Sequence, residues 1–385
     1  MKKVGLITYY GENYGGMLQA YALQKYVKTL GYNCKLISND FLYAPKKQSK
    51  KAKILGKIKR VLNNPFTVVK KSIAMRKSMA DRELKKQRFF EFLNKYLEID
   101  HTGYTSYGQY EENPPEYDVY LCGSDQIWNP NLYHENGFYL AGFAPEDAVR
   151  VSYASSVGVS SVTEDQGAFM KPFLEKFDLL STRETEGSEI VKALTGKEVR
   201  TVIDPTLLLN ETQWSEVASA PLVDGDYIFF YLFGDREYIA DVKKEVRKLT
   251  GLKSVCIPYI AREVADPDDI KMFDVGPAEF ISLIKNAKLV VTDSFHATAF
   301  SINLKVPFIS LCRFDKSDGK SMNSRITTLL SAVDAEERMI DEKDVLIKEK
   351  LMSVDFEKIH DKLNELRRKD EAFLRNALKY EKENG

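Results

Sequence analysis

The segment TDSFHATAF, residues 292–300, combines side chains that can bind an anion and move a proton. The apolar run LVVT leads into it and helical spacing follows, so His296 is predicted in the first turn of a helix. A helix N-terminus exposes unpaired amides that favour phosphate or carboxylate ligands. A histidine beside such an anion can donate or accept a proton. The alternative is a structural histidine that hydrogen-bonds near the helix end.

A second junction between a predicted strand and a predicted helix is GENYGG, residues 11–16. Its glycines let the backbone approach a ligand closely. The full G-x-G-x-x-G spacing is absent, so no nucleotide follows from this loop. A tight structural turn is the alternative.

The third junction is GSDQIWNP, residues 123–130, where a predicted strand ends. Ser124, Asp125 and Gln126 suit sugar hydroxyls, and Trp128 suits the apolar face of a sugar. Ligands of open α/β sheets lie beyond the carboxyl ends of the strands, where these residues fall. Burial of Trp128 in the core is the alternative.

The elements that must position these junctions are predicted to form two doubly wound units. The first begins as strand, Gly-rich loop, helix and strand over residues 3–38, which is a βαβ unit and implies a parallel sheet. Further apolar runs lie at residues 118–122, 149–154, 179–183 and 199–203. The second unit repeats the order, with predicted strands at residues 227–233, 254–257, 288–292 and 307–311.

The predicted fold class is therefore α/β, with two Rossmann-like doubly wound parallel-sheet domains facing a cleft. We expect an N-terminal domain over residues 1–215, a C-terminal domain over 216–340 and a helical tail over 341–385. The tail could pack back on the N-terminal domain.

Composition describes a globular protein, since 44% of the 385 residues are hydrophobic and 29% are charged. The formal net charge of zero gives no overall field that would attract nucleic acid. The four cysteines are scattered, which suits buried reduced thiols, and no signal peptide or membrane span is predicted. We expect a cytoplasmic protein with no metal site and no cofactor.

One segment breaks the even charge. Between Asp40 and Asp81 there is no acidic residue, while lysine and arginine recur. Apolar residues at helical spacing predict a basic amphipathic helix within an insertion at about residues 45–100; they are Ile54, Leu55, Ile58, Val61 and Leu62. Residues 46–77 could contact the anionic inner face of a membrane or a lipid-linked phosphate. A solvated insertion whose apolar stripe packs on the first domain is the commoner outcome.

Six segments, taken in order, resemble the polysaccharide pyruvyl transferase family. They are NYGGMLQAYALQKYVKTLGY, YDVYLCGSDQIWNP, YASSVG, STRE, IDPTLLL and VGPAEFISLIKNAKLVVTDSFHATAFSINLKVPFI. The resemblance covers roughly residues 3 to 330. It implies a fold similar to the GT-B glycosyltransferases, phosphoenolpyruvate as donor, and a pyruvate ketal formed on two hydroxyls of a hexose in a polysaccharide or its precursor.

The resemblance places the family's donor-site histidine at His296, an arginine of the STRE type at Arg183 and the acidic residue before proline at Asp204. The residue types that ketal formation needs then indicate catalytic roles for His296, Asp204 and Asp125, with Asp204 or Asp125 as the candidate base. Donor-binding roles fall on Arg183, Ser294, Phe295 and Arg325, and the C-terminal domain is expected to form the donor side of the cleft. Acceptor-binding roles in the N-terminal domain fall on Asn13, Tyr14, Gly15, Gln126 and Trp128. The structural alternatives are a turn residue before Pro205 for Asp204, and a surface ion pair with Glu184 or Glu186 for Arg183.

The histidine motif departs from the family pattern. Several members carry R-L-H, whereas Ser294 and Phe295 precede His296 here, so a donor-binding cation is absent from its usual position. Either Arg183 with Arg325 supplies the charge, or the donor differs. Two other functions therefore stay open: a GT-B glycosyltransferase that uses a nucleotide sugar, and a non-catalytic member that binds glycan.

Overall fold

The computed structural model describes residues 1–42, 65–132, 136–259, 261–314 and 323–382. The predicted apolar stripe of the basic insertion, residues 54–62, lies outside the described residues. None of the described helices is long and apolar enough to cross a membrane.

The first domain is built on a parallel sheet. Its strands are β1 (Lys3–Ile7), β2 (Asn33–Ile37), β3 (Ile99–Asp100), β4 (Val119–Gly123), β5 (Val149–Tyr153), β6 (Leu180–Thr182) and β7 (Val199–Thr201). Its helices are α1 (Tyr14–Thr29), α2 (Pro65–Tyr96), α3 (Tyr107–Glu112), α4 (Glu164–Leu174), α5 (Thr185–Thr195), α6 (Pro205–Leu208) and α7 (Glu211–Ser215). The strand order is β3-β2-β1-β4-β5, and isolated parallel bridges from β5 continue it to the pair β6-β7.

The second domain repeats this construction. Its strands are β8 (Tyr227–Tyr231), β9 (Lys253–Cys256), β10 (Asp269–Lys271), β11 (Leu289–Thr292), β12 (Phe308–Leu311) and β13 (Met339–Ile340), ordered β10-β9-β8-β11-β12-β13 and all parallel. Its helices are α8 (Glu237–Thr250), α9 (Ala261–Ala265), α10 (Pro277–Lys285), α11 (Phe295–Asn303), α12 (Ser324–Ala332) and α13 (Lys348–Met352). A last helix, α14 (Phe356–Lys379), follows.

The central strands are apolar along their whole length because helices cover both faces of each sheet. Every residue of β4, β8 and β11 is buried. The polar residues that can reach a ligand therefore come where these strands end. The predicted α/β fold class, with two parallel-sheet domains, is confirmed.

Helix α11 joins the two domains at both of its ends. At its C-terminal end the buried side chain of Asn303 donates to the carbonyl oxygens of Thr206 and Leu209, both at 2.8 Å. At its start lies His296. Nearby, the buried Tyr14 hydroxyl donates to the carbonyl oxygen of Val275 at 2.9 Å, across the same interface.

The tail, predicted to be helical over residues 341–385, is interrupted. It forms two helices, α13 and α14, with Ser353, Val354 and Asp355 between them, and the Asp355 side chain caps α14. Helix α14 contacts both domains: Asp370 accepts from the Ile203 amide at 2.8 Å, and Arg367 donates to Asn303. The short strands β3, β10 and β13 were not predicted, whereas β6 and β7, also short, were found because they lie in longer apolar runs at residues 179–183 and 199–203.

Candidate functional site

Polar residues from both domains converge where strands of the two sheets end. Asp125 comes two residues after β4, Arg183 directly follows β6, and Asp293 directly follows β11. The N-termini of α1 and α11 reach the same place, since His296 packs against Gly15. A helix N-terminus carries a partial positive charge, so two of them meet here.

His296 is the second residue of α11, and it is 8% exposed. Ser294 caps the helix by accepting from the amide of Ala297 at 3.5 Å, which leaves the amides of Phe295 and His296 with no intrahelical acceptor. Nε2 of His296 lies 3.7 Å from Oδ2 of Asp204, too far for a hydrogen bond. Burial lowers the pKa of His296 below its ordinary value, although the charge of Asp204 opposes this, so the imidazole is neutral at neutral pH.

Asp204 is enclosed by hydrogen-bond donors. Its Oδ2 accepts from the Ser124 hydroxyl and from Nη1 of Arg183, both at 2.8 Å. Its Oδ1 accepts from the amide of Thr206 at 2.9 Å and from the hydroxyl of the same residue at 2.8 Å. Burial alone would raise the pKa of Asp204, but the protonated form of His296 and the charge and hydrogen bond of Arg183 outweigh it and hold this pKa below its ordinary value. A carboxylate so fully occupied is a weak base, which favours an anchoring role over the predicted role of general base.

Arg183 is fixed beneath the site with only 1% of its side chain exposed. Its guanidinium lies 4.2 Å from the ring centre of Phe295, a cation–π contact across the domain interface. Nε and Nη2 are buried and have no hydrogen-bond acceptor within the described part of the chain. The surface ion pair with Glu184 or Glu186, the structural alternative for Arg183, is wrong. A buried Glu184 oxygen instead accepts from Ser156, Val157 and Gly158.

Arg325, near the start of α12, brings a second buried guanidinium close to the first. Burial, and next the positive charge of Arg183, lowers the pKa of Arg325 to about 10. Two buried guanidinium groups whose positive charges repel each other favour the binding of an anion near both of them.

Asp125 is more accessible than Asp204. Its backbone φ of 62° lies in the left-handed region, which Asp tolerates and which turns its carboxylate away from the strand. Of its side chain 14% is exposed, and Oδ1 lies 3.7 Å from Nη2 of Arg183. Of the two carboxylates, Asp125 is therefore the better placed to take a proton from a ligand.

The structure distributes the predicted acceptor residues differently. Gly15 lies at the site. Asn13 is exposed and caps α1 by accepting from the Gly16 amide, and Gln126 is partly buried and accepts from Asn129. Tyr14 is buried, with its ring stacked on Phe280 at 4.7 Å.

Trp128 belongs to the core. Its side chain is 2% exposed and its indole NH donates to the carbonyl oxygen of Tyr139, so no ring face is open to a sugar. The core alternative for Trp128 is the one that the structure shows.

Sequence reasoning missed two residues that hold the site in place, Thr206 and Arg313, and it expected Ser124 to contact sugar hydroxyls. Ser124 and Thr206 satisfy Asp204, and Arg313 contacts Asp293 at the end of β11. Arg313 comes two residues after β12, so the rule that polar residues beyond a strand end face the cleft would have found it. Within the described ranges, no group of three His, Cys, Asp or Glu side chains is placed to hold a metal ion.

Two facing parallel-sheet domains with polar side chains at their carboxyl edges define a GT-B-type α/β architecture. Two solved structures of similar fold, each with a TM-score of 0.50, agree. UDP-N-acetylglucosamine 2-epimerase from Rickettsia bellii has a TM-score of 0.50 and 10% identity, over 99% of this chain and 97% of that one. S. aureus MnaA in a co-structure with UDP has a TM-score of 0.50 and 12% identity, over 95% and 88%. Arabidopsis thaliana UGT89C1 complexed with UDP-L-rhamnose has a TM-score of 0.45 and 13% identity, over 96% and 93%.

A sequence model of the polysaccharide pyruvyl transferase family matches residues 13–311, which is most of the chain. The chain belongs to this family, as the resemblance in its sequence predicted, and it is a transferase. A search of curated protein sequences finds no significant match.

Proposed function

We propose that the protein transfers the enolpyruvyl unit of phosphoenolpyruvate onto two hydroxyls of a hexose, in a polysaccharide or its precursor, and forms a pyruvate ketal. The observation that carries the proposal is the meeting of His296, Arg183 and the first turn of α11 in one buried place. Family membership supports the reaction type.

The reaction balances without any cofactor. The methylene carbon of the donor gains a proton and becomes a methyl group, and the neighbouring carbon forms two bonds to sugar oxygens while its bond to the phosphate oxygen breaks. Of the two hydroxyl protons, one balances the proton delivered to the methyl group and the other leaves with phosphate. The site must therefore supply a proton donor, a proton acceptor and a cradle for anions.

The described residues fit these three needs. Nε and Nη2 of Arg183, Arg325 and the amides of Phe295 and His296 form the cradle. His296 is neutral in the empty site, but a bound phosphate dianion favours its protonated form, and it then becomes the acid. Asp125, rather than Asp204, accepts the proton of a sugar hydroxyl.

Access to this site requires movement. His296 is only 8% exposed, and it packs against Gly15 of the first domain. We expect the domains to separate slightly when donor and acceptor enter, as hinge closure around a ligand is common in two-domain enzymes.

The acceptor binds on the side of the first domain, at the GENYGG loop and near Gln126. A lipid-linked acceptor would suit a cytoplasmic enzyme whose basic segment, residues 46–77, contacts the inner face of a membrane.

A thermal-shift screen tests the donor, because a ligand that binds only the folded state raises the melting temperature. Phosphoenolpyruvate is expected to stabilise the wild-type protein and not the His296→Ala variant, with His101→Ala as the surface control. Mass spectrometry of pyruvylated hexose then tests transfer.

The nucleotide-sugar alternative has its own outcome in this screen. MnaA of similar fold was solved with UDP, so UDP-sugars belong in the same plate. Stabilisation by a UDP-sugar and not by phosphoenolpyruvate would replace the proposal with a glycosyltransferase. If neither donor raises the melting temperature and the protein binds a glycan, it is a non-catalytic glycan-binding member of the family.

A further inference from the structure

Arg313 lies at the carboxyl edge of the second sheet, two residues beyond the end of β12. Its Nη2 donates to the backbone oxygen of Asp293 at 2.8 Å and to Oδ1 of the same residue at 3.2 Å, and its Nε donates to Oδ2 at 3.2 Å. The backbone oxygen belongs to the peptide bond between Asp293 and Ser294. The guanidinium of Arg313 therefore lies beside the residue that caps α11.

The orientation of Arg313 is fixed from two directions. Asp293 holds one edge of the guanidinium, and the ring of Phe233 lies 4.6 Å from its central carbon. Asp293 also accepts from the amides of Phe233 and Gly234, so one buried carboxylate positions both the arginine and the loop that carries the ring. A guanidinium held in this way loses little freedom when it binds an anion.

Arg313 is the accessible member of a group of arginines. Its side chain is 20% exposed, whereas that of Arg183 is 1% exposed. After burial, the charge of Arg183 and, less strongly, that of Arg313 lower the pKa of Arg325, while the charge of Glu184 opposes them. Arginines that repel one another at the positive end of a helix form a site for a ligand with more than one acid group.

We infer that Arg313, oriented by Asp293, binds one of the two acid groups of the donor at the start of α11. It thereby supplies in space the cation that the sequence lacks at Ser294. The inference rests on the proposed function, because phosphoenolpyruvate carries a phosphate and a carboxylate. Arg183 and the first-turn amides beside His296 hold the other acid group.

Calorimetric titration of phosphoenolpyruvate into purified full-length variants tests the inference. Arg313→Ala is expected to weaken donor binding at least about tenfold, because the variant loses the charge-assisted hydrogen bonds of Arg313 to an acid group of the donor. Arg313→Lys keeps the charge, loses the fork and is expected to fall between wild type and Arg313→Ala. Arg236→Ala is the matched control: Arg236 also contacts the end of β12, through the carbonyl oxygen of Cys312, but its carboxylate partner is the exposed Glu342 rather than Asp293 beside α11.

The outcomes separate the two proposals. If the wild type binds phosphoenolpyruvate and both folded Arg313 variants bind it equally well, Arg313 is not a donor ligand and the proposed function stands. If the wild type binds no phosphoenolpyruvate, the proposed function fails and this inference fails with it. Should Arg313→Ala not fold, as judged by its circular dichroism and melting curve, Arg313→Lys decides by the same comparison of affinities.

Discussion

Gly15 and His296 touch across the domain interface. A Cβ placed on Gly15 would lie 2.0 Å from Nδ1 of His296 and 2.5 Å from its Cε1. Each residue is the second of its helix, Gly15 in α1 and His296 in α11, so the two helix N-termini meet through the imidazole of His296. The glycine is required here for close approach, because any larger residue would displace the imidazole.

Gly15→Ala should therefore remove activity while keeping most of the fold. The imidazole must rotate away from the added methyl group, and a misplaced catalytic group costs about 100-fold in rate. The turnover rate for pyruvyl transfer and the melting temperature measure the two effects. Gly108→Ala is the matched control, since Gly108 is also the second residue of a helix and a Cβ there meets nothing within 4 Å. Equal activity in both variants would show that the contact between Gly15 and His296 does not position the imidazole.

Asp204→Asn should destabilise the protein by about 3 to 5 kcal/mol, because it leaves the charge of Arg183 buried beside a neutral amide. Urea denaturation measures this loss as a lower midpoint at unchanged slope. Asp226→Asn is the control: Asp226 pairs with Lys288 at 3.6 Å on the surface, with 60% of its side chain exposed, and the change should stay within about 0.5 kcal/mol. Similar small losses in both variants would contradict the anchoring role of Asp204.

His296 should make the fold sensitive to acid. The unfolded chain takes up a proton at the ordinary histidine pKa of 6.5, whereas the pKa of native His296 is lower because of burial. Between these values the unfolded state binds more protons, so the free energy of unfolding falls as pH drops below about 6.5. In His296→Gln this part of the fall should disappear, and the two profiles should run parallel above pH 7. Parallel profiles from pH 8 to pH 5 would mean that the native pKa is not lowered.

Asp370, in contrast to His296, should make the fold less stable as the pH rises. Burial raises the pKa of Asp370 to about 6 from its ordinary value of 3.8, although the amide of Ile203 opposes this. Between these two values the native state binds more protons, so rising pH weakens this contribution to stability. Asp370→Asn keeps an acceptor for the Ile203 amide and should be more stable than wild type at pH 7.5, by as much as about 3 kcal/mol. Thermal unfolding at pH 7.5 and pH 4 measures the difference, and a variant less stable than wild type at both values would contradict the expectation.

The predicted fold agreed closely with the structure where elements were long and periodic. Helix α11 was predicted to begin at His296 and begins at Phe295, and β11 matched its apolar run almost residue for residue. The prediction was incomplete for the tail, whose charged sequence did not indicate the break at Ser353 to Asp355, and for β3, β10 and β13, which were not predicted. Local spacing has no information about an element of two residues, whose position is set by the strand beside it.

The sequence predicted which residues belong to the site better than it predicted how they are arranged. The segments that resemble the family included His296, Arg183 and Asp204, and these three do meet. The structure indicates different roles for two of the predicted residues. Asp204 accepts four hydrogen bonds, and Trp128 faces the core. Arg313 was not predicted. Its position two residues beyond a strand end was a usable signal, but no residue near it in the sequence shows that Asp293, twenty residues earlier, would hold it.

The sequence by itself determined two parallel sheets and the residues that emerge at their carboxyl ends, because an apolar run must be buried and its first polar neighbour must leave the core. Only the tertiary structure decided which of those residues touch. Gly15 and His296 stand 281 positions apart, and their contact depends on how one domain docks against the other. That docking is set by surfaces assembled from many distant segments, such as Tyr14 on Val275 and Asn303 on Thr206, and no local pattern records it.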